Sequence, residues 1–302
     1  MKPLTGVYNI LSTPFSPDGA LDLDSLRRLT EATVQAGVDG ITILGVAGEA
    51  QKLNTSERET VIRTVMEIAG PHIPIIVGTS QDGTDLTIEA SRLAVDLGAA
   101  GLMIAPPAFL QPGPGLTEHF RRIAEAVEAP IILQDFPAVN GVTMSPRQMA
   151  DLCEAVPSIT TIKLEDAPTP QRTAQTLALT GDQISVVGGL GGMYLLDELR
   201  RGAAGTMTGF AYPEVLVSIV NAWHKGDRQA ANEVYYRALP LLIFEGQPKL
   251  GVAIRKEILR RRGFIDHATV RHPGPVLDDG TAADLTETLD WVDINNLVGV
   301  KA

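Results

Sequence analysis

The chain has 302 residues, 44% of them hydrophobic and 20% charged, enough apolar material to build a full core in one large domain or two ordinary ones. Its formal charge of -11, from 25 Lys and Arg against 36 Asp and Glu, argues against nucleic acid or an anionic membrane as the main partner. A lone cysteine, Cys153, excludes an internal disulfide framework and any thiolate metal cluster.

The opening MKPLTGVYNILSTPF has a short apolar run broken by prolines, unlike a signal or transit peptide, and no apolar run is long enough to span a bilayer. The expected location is the cytoplasm. Short β-rich runs then recur along the chain: GVYNILS from Gly6, ITILG from Ile41, PIIVGT from Pro74 and GLMIA from Gly101. They continue with PIILQD from Pro130, TTIKLE from Thr160, ISVVGG from Ile184 and GTMTG from Gly205. Amphipathic segments separate them. One ends at Gly37, another at Gly98 and a third at Gly202, each closing on glycine before the next strand. In LNTSERETVIRTVMEIAG, Ser56 and Glu59 fit a capping box, and Gly70-Pro71 stop the helix.

Strands that are apolar on both faces and alternate with helices predict a closed (β/α)8 TIM barrel. An open doubly wound sheet fits less well, because STPFSPDG rather than a glycine-rich phosphate loop follows the first strand. After Pro213 the pattern is helical only, apart from the loop IDHATVRHPGPVLDDG. This predicts a barrel over residues 1–224 and a C-terminal helical extension over 225–302, forming a single structural unit.

Function in such a barrel gathers at the C-terminal ends of the strands. Lys163 lies there, the only lysine within a predicted strand. Period-two alternation puts Thr161, Lys163 and Glu165 on one face, with Ile162 and Leu164 on the other. If the aliphatic pair faces the helices, Lys163 points into the barrel, where burial favours a neutral amine that can attack a carbonyl. An ion pair with Glu165 or another carboxylate explains the same position. GVAGEA, from Gly45 to Ala50, offers backbone N–H groups to a carboxylate, or is a plain turn; Glu49 within it suits either loop support or acid–base work. The run Gly188 to Gly192, including Gly189, could cradle an anion. Five histidines show no metal-ligand spacing, so no catalytic metal or cofactor is expected. Cys153 reads as core filler, and Arg260-Arg-Arg262 as a solvated helix C-terminus.

STPF, GVAGE followed by QKLNTSER, TIKLE and GTMTGFAYPE, with the helical tail, are together similar to the dihydrodipicolinate synthase/N-acetylneuraminate lyase family along nearly the whole chain. The resemblance implies a (β/α)8 barrel, usually tetrameric, and an imine between lysine and pyruvate or another 2-oxo acid, formed without metal. Lys163 matches that lysine. Val46 and Ala47 stand where well-known members carry two hydroxyl residues that hold the substrate carboxylate, leaving the amides of Val46, Ala47 and Gly48 to bind it. Gln134 replaces the catalytic tyrosine of strand five, the relay's second tyrosine is missing from IAPPAFLQP, and Val139 replaces the arginine of dihydrodipicolinate synthase.

QDFP, KLE and RHPGP instead resemble the 2-keto-3-deoxy-L-arabonate dehydratase branch, while GVAGE is nearer the aldolases. The implied enzyme is a Schiff-base dehydratase of a short 2-keto-3-deoxy sugar acid. Lys163, Gln134 and Glu49 are its candidate catalytic residues, with Glu165 as another possible acid. Val46, Ala47, Gly48, Thr208 and Gly189 are its candidate substrate contacts. A pyruvate-releasing class I aldolase and a non-catalytic 2-oxo-acid-binding barrel are the alternatives.

Overall fold

The computed structural model describes residues 2–298. Eight parallel strands close into a barrel in chain order: β1 (Gly6–Ile10), β2 (Gly40–Ile43), β3 (Ile75–Gly78), β4 (Gly101–Ile104), β5 (Ile131–Asp135), β6 (Ile159–Leu164), β7 (Ser185–Gly188) and β8 (Gly205–Thr208). Each strand pairs with its chain neighbour, and β8 returns to β1 through Tyr8↔Met207. The intervening helices are α1 (Leu23–Gln35), α2 (Thr55–Ala69), α3 (Thr84–Asp96), α4 (Pro114–Ala126), the short α5 (Pro137–Asn140), α6 (Pro146–Ala155), α7 (Thr169–Thr180) and α8 (Leu195–Arg200). The chain continues through α9 (Pro213–His224), α10 (Arg228–Glu245), α11 (Gly251–Arg261), α12 (Asp279–Val292) and α13 (Ile294–Val298).

Two apolar clusters follow from strand alternation. Tyr8, Ile10, Ile76, Met103, Ile132, Val187 and Met207 fill the barrel interior, closed off by Leu4. The alternate residues, among them Ile41, Ile43, Leu133, Ile162 and Leu164, join the larger cluster between strands and helices. Tyr235, Leu242, Ile254 and Leu285 belong to this same cluster, so the tail helices share one core with the barrel. No helix among the described residues is long and apolar enough to cross a membrane.

Two local expectations change. The capping box of α2 uses Asn54 and Glu57, not Ser56 and Glu59: the Asn54 side chain accepts from Glu57 N at 2.9 Å and Glu57 reaches back to Asn54 N at 3.0 Å. Asparagine is as good an N-cap as serine, and the helix therefore starts two residues earlier than the Ser56 frame implies. Arg262 is not solvated. It donates to Glu214 and to the Ala211 carbonyl and stacks over Tyr212 and Phe264, tying the end of α11 to the start of α9. Cys153 is buried on α6, where burial pushes its thiol up to about 12, the state of an inert core residue.

Candidate active site at the C-terminal mouth of the barrel

Thr161 and Lys163 face the barrel interior, as the helix-side packing of Ile162 and Leu164 requires. Thr161 Oγ1 accepts from Leu4 N at 3.0 Å near the closed end of the barrel. Lys163, two positions further along, is only 3% exposed. Its Nζ lies 2.8 Å from Oε2 of Glu165, one step beyond β6. The same oxygen accepts from Gln134 Nε2 at 2.9 Å, because parallel pairing sets Gln134 beside Lys163. The other carboxylate oxygen accepts from Leu190 N at 3.3 Å. Lysine, glutamate and glutamine thus form one buried chain. Both sequence readings of Lys163 hold geometrically: it is buried inside the barrel and it is ion-paired.

In the glycine run after β7, three amides that could cradle an external anion are already bonded within the protein, one of them to this carboxylate. Leu190 N is given to Glu165, Gly191 N to Thr208 Oγ1 at 2.8 Å, and Gly192 N to the Gly189 carbonyl at 2.9 Å. A Cβ on Gly189 would fall 2.4 Å from Glu165 Cγ, so only glycine lets the glutamate reach its position. Thr208, buried at the end of β8, already accepts from Gly191 N, and its own hydroxyl donates to nothing among the described residues.

Behind the loop stands a second carboxyl that sequence reading did not single out. Glu198 of α8 accepts from Thr169 Oγ1 at 2.5 Å, while its Oε2 has no partner among the described residues and presses against Gly188. Burial, with a smaller contribution from the charge of Glu165, pushes Glu198 up to about 7 from an ordinary value of 4.5. A raised carboxyl favours folding below its unfolded value and loses that contribution as pH rises through its folded value. Glu198→Gln keeps the Thr169 contact and carries no charge. It is expected to match the native protein near pH 4.5 and to be more stable at pH 8, by up to about 3 kcal/mol. Thermal unfolding at both pH values checks this; an equal gain at both would refute the assignment.

Opposite, the turn after β2 runs Gly45 to Lys52. Gly48 N bonds back to the Gly45 carbonyl at 3.0 Å, and the Gly48 carbonyl accepts from Thr13 Oγ1 of the STPF segment at 2.6 Å. Gly48 is therefore committed to shaping the turn and not free for a ligand. The Val46 and Ala47 amides meet no acceptor among the described residues. Val46 and Gln134 line a cleft of about 480 Å³ together with Arg58, Ser80, Phe136 and Val139. That size suits a small metabolite.

Glu49 is not in this chain of contacts. Its Oε1 lies 2.5 Å from Lys256 Nζ; its Oε2 lies 2.8 Å from Lys52 Nζ and 3.0 Å from Arg271 N. The carboxylate is 2% exposed and faces the tail, so its contacts are those of loop support rather than of acid–base work. Burial draws Lys256 down to about 8 against the pull of Glu49. Asp135 also turns away from the mouth, toward Arg172 at 3.5 Å, and burial pushes it up to about 7. Among the described residues, no three His, Cys, Asp or Glu side chains gather to hold a metal ion.

The dihydrodipicolinate synthetase family model matches residues 3–291. The L-2-keto-3-deoxyarabonate dehydratase of Azospirillum brasilense is 32% identical over 285 residues, covering 93% of this chain and 92% of its own. The 4-hydroxy-tetrahydrodipicolinate synthase of Sorangium cellulosum is 35% identical over 294 residues, covering 95% of each. The crystal structure of dihydrodipicolinate synthase from Rhodopseudomonas palustris superposes with a TM-score of 0.91 at 34% identity, covering 96% of this chain and all of that one. Barrel topology, buried strand-six lysine and full-length similarity agree: the chain belongs to the dihydrodipicolinate synthetase family and is an enzyme of its class I lyase type.

Proposed function

We propose that the protein is a Schiff-base dehydratase of a short 2-keto-3-deoxy sugar acid. The reading is carried by the Gln134–Glu165–Lys163 chain, which supplies a carboxylate, and no tyrosine, beside the imine-forming amine. Lys163 passes a proton to Glu165 and attacks the C2 ketone, while the substrate carboxylate binds the free amides of Val46 and Ala47. Glu165 returns the proton as water leaves the carbinolamine, and the protonated imine acidifies C3. The carboxylate then takes a C3 proton and delivers it to the departing C4 hydroxyl, so one group acts as base and acid in turn. Hydrolysis of the imine uses one water and frees Lys163; the net change is loss of one water from the substrate. Gln134 orients Glu165 and carries no proton. Thr208 is the proposed further substrate contact.

Retro-aldol cleavage instead needs a base on the C4 hydroxyl, the task of the tyrosine that Gln134 replaces. The pyruvate-releasing aldolase is the second reading, because Val46, Phe136 and Val139 among the cleft's lining residues would suit a substrate that carries an aromatic substituent. The same reading takes the enzyme as a cytoplasmic homotetramer that uses neither metal nor cofactor. The test is product analysis after incubation with a panel of keto-deoxy pentonates and hexonates. A dehydrated 2-oxo acid supports the proposal, pyruvate plus an aldehyde supports the aldolase, and no turnover on any of them supports a binding barrel.

A further inference from the structure

The RHPGP segment, part of the loop between α11 and α12, has no role in the chemistry above, yet Arg271 in it is among the most heavily bonded side chains of the molecule. Its N–H reaches Glu49 Oε2 at 3.0 Å, and its carbonyl accepts from Lys52 Nζ at 2.6 Å. Its guanidinium gives two bonds to the Gly19 carbonyl at 2.9 and 2.5 Å, one to the Lys52 carbonyl at 2.9 Å, and two to Glu57 at 2.9 and 2.7 Å. All five guanidinium N–H donors are then spent, so Arg271 has none left for a ligand. The group also lies 4.3 Å over the Phe15 ring.

Three segments meet on this side chain: the turn after β1, the end of the glycine turn and the start of α2. Glu49, between them, holds a left-handed backbone conformation with φ 56° and ψ 32°. A non-glycine residue is strained in that geometry and keeps it only where surrounding contacts over-determine it. Lys52, Lys256 and the Arg271 amide are those contacts.

We infer that Arg271 is a positioning residue for the glycine turn, through which the helical tail sets how tightly the substrate carboxylate is held at Val46 and Ala47. The inference rests on the proposed carboxylate role of those amides. The turn binds the acid and the lysine performs the chemistry, so loosening the turn weakens binding more than reaction. The probe is pyruvate, with borohydride trapping of the imine followed as a function of pyruvate concentration. In Arg271→Lys the half-saturating concentration rises about tenfold or more, while the trapping rate at saturation stays within about twofold.

Glu57→Gln retains an N3 side chain competent for the α2 capping box but removes the charge opposite Arg271, and shows a smaller rise in the same direction. This second variant keeps the test decisive if Arg271→Lys fails to fold. A lower unfolding temperature with unchanged half-saturation in the folded variants makes Arg271 purely structural and overturns the inference. A fall in the saturating rate alone overturns it as well. No adduct in the native protein would sink the imine reading itself and this inference with it; a native adduct with unmoved variants sinks only this one.

Discussion

Lys163→Arg is expected to abolish turnover, by more than about 1,000-fold or about 4 kcal/mol of transition-state stabilisation. Arginine keeps a positive charge for Glu165 but cannot be deprotonated in a protein, so it cannot attack a ketone. The measurement is borohydride reduction in the presence of pyruvate, with peptide mass mapping of the native chain and the variant. The native chain should carry one pyruvate-derived group, on Lys163, and the variant none. Lys163→Ala serves as a second variant, because the longer arginine can crowd a position that is only 3% exposed. Turnover or an adduct surviving in both variants would remove Lys163 from the reaction and leave its 2.8 Å contact with Glu165 as a structural ion pair.

Glu165→Gln separates imine formation from proton transfer. The amide can still accept a hydrogen bond at the same place but cannot carry a proton from C3 to the C4 hydroxyl. Turnover is expected to fall about 10²- to 10⁴-fold, the usual contribution of a positioned acid or base. The pyruvate adduct on Lys163 should survive borohydride treatment, since water can relieve the lysine of its proton during a slow trapping experiment. Rapid-quench product formation and trapping on the same sample report the two steps. An unchanged product rate would take the shuttle role from Glu165. Loss of the adduct along with turnover would mean that the carboxylate serves the lysine alone. Removing one partner of a buried pair also destabilises the fold, commonly by about 3–5 kcal/mol, so the assays belong well below the variant's unfolding temperature.

Much of this architecture is written in short-range pattern. The eight β-rich runs became the eight barrel strands, since a strand covered on both faces must be apolar throughout. The interior position of Lys163 follows from period-two alternation against Ile162 and Leu164, which needs no knowledge of the rest of the chain. The α2 cap lies two residues before Ser56 because Asn54, Thr55 and Ser56 can all serve as N-caps and the choice depends on which residue leaves the helix first.

Long-range partners were not legible. Glu49 sits in a loop whose sequence suits both support and catalysis; the decision came from Lys256 and Arg271, more than two hundred positions away. Glu198 looked like one more acid on an amphipathic helix until α8 was docked against Gly188 and Thr169. The sequence by itself determined the barrel and the inward lysine, because alternation is a local property, and the family resemblance showed Gln134 in the place of a tyrosine, because residue identity is local as well. Which carboxylate meets the lysine, and which carboxylates are buried as props, was decided only by tertiary structure, because hydrogen bonding and desolvation depend on what the folded chain brings within about 3 Å.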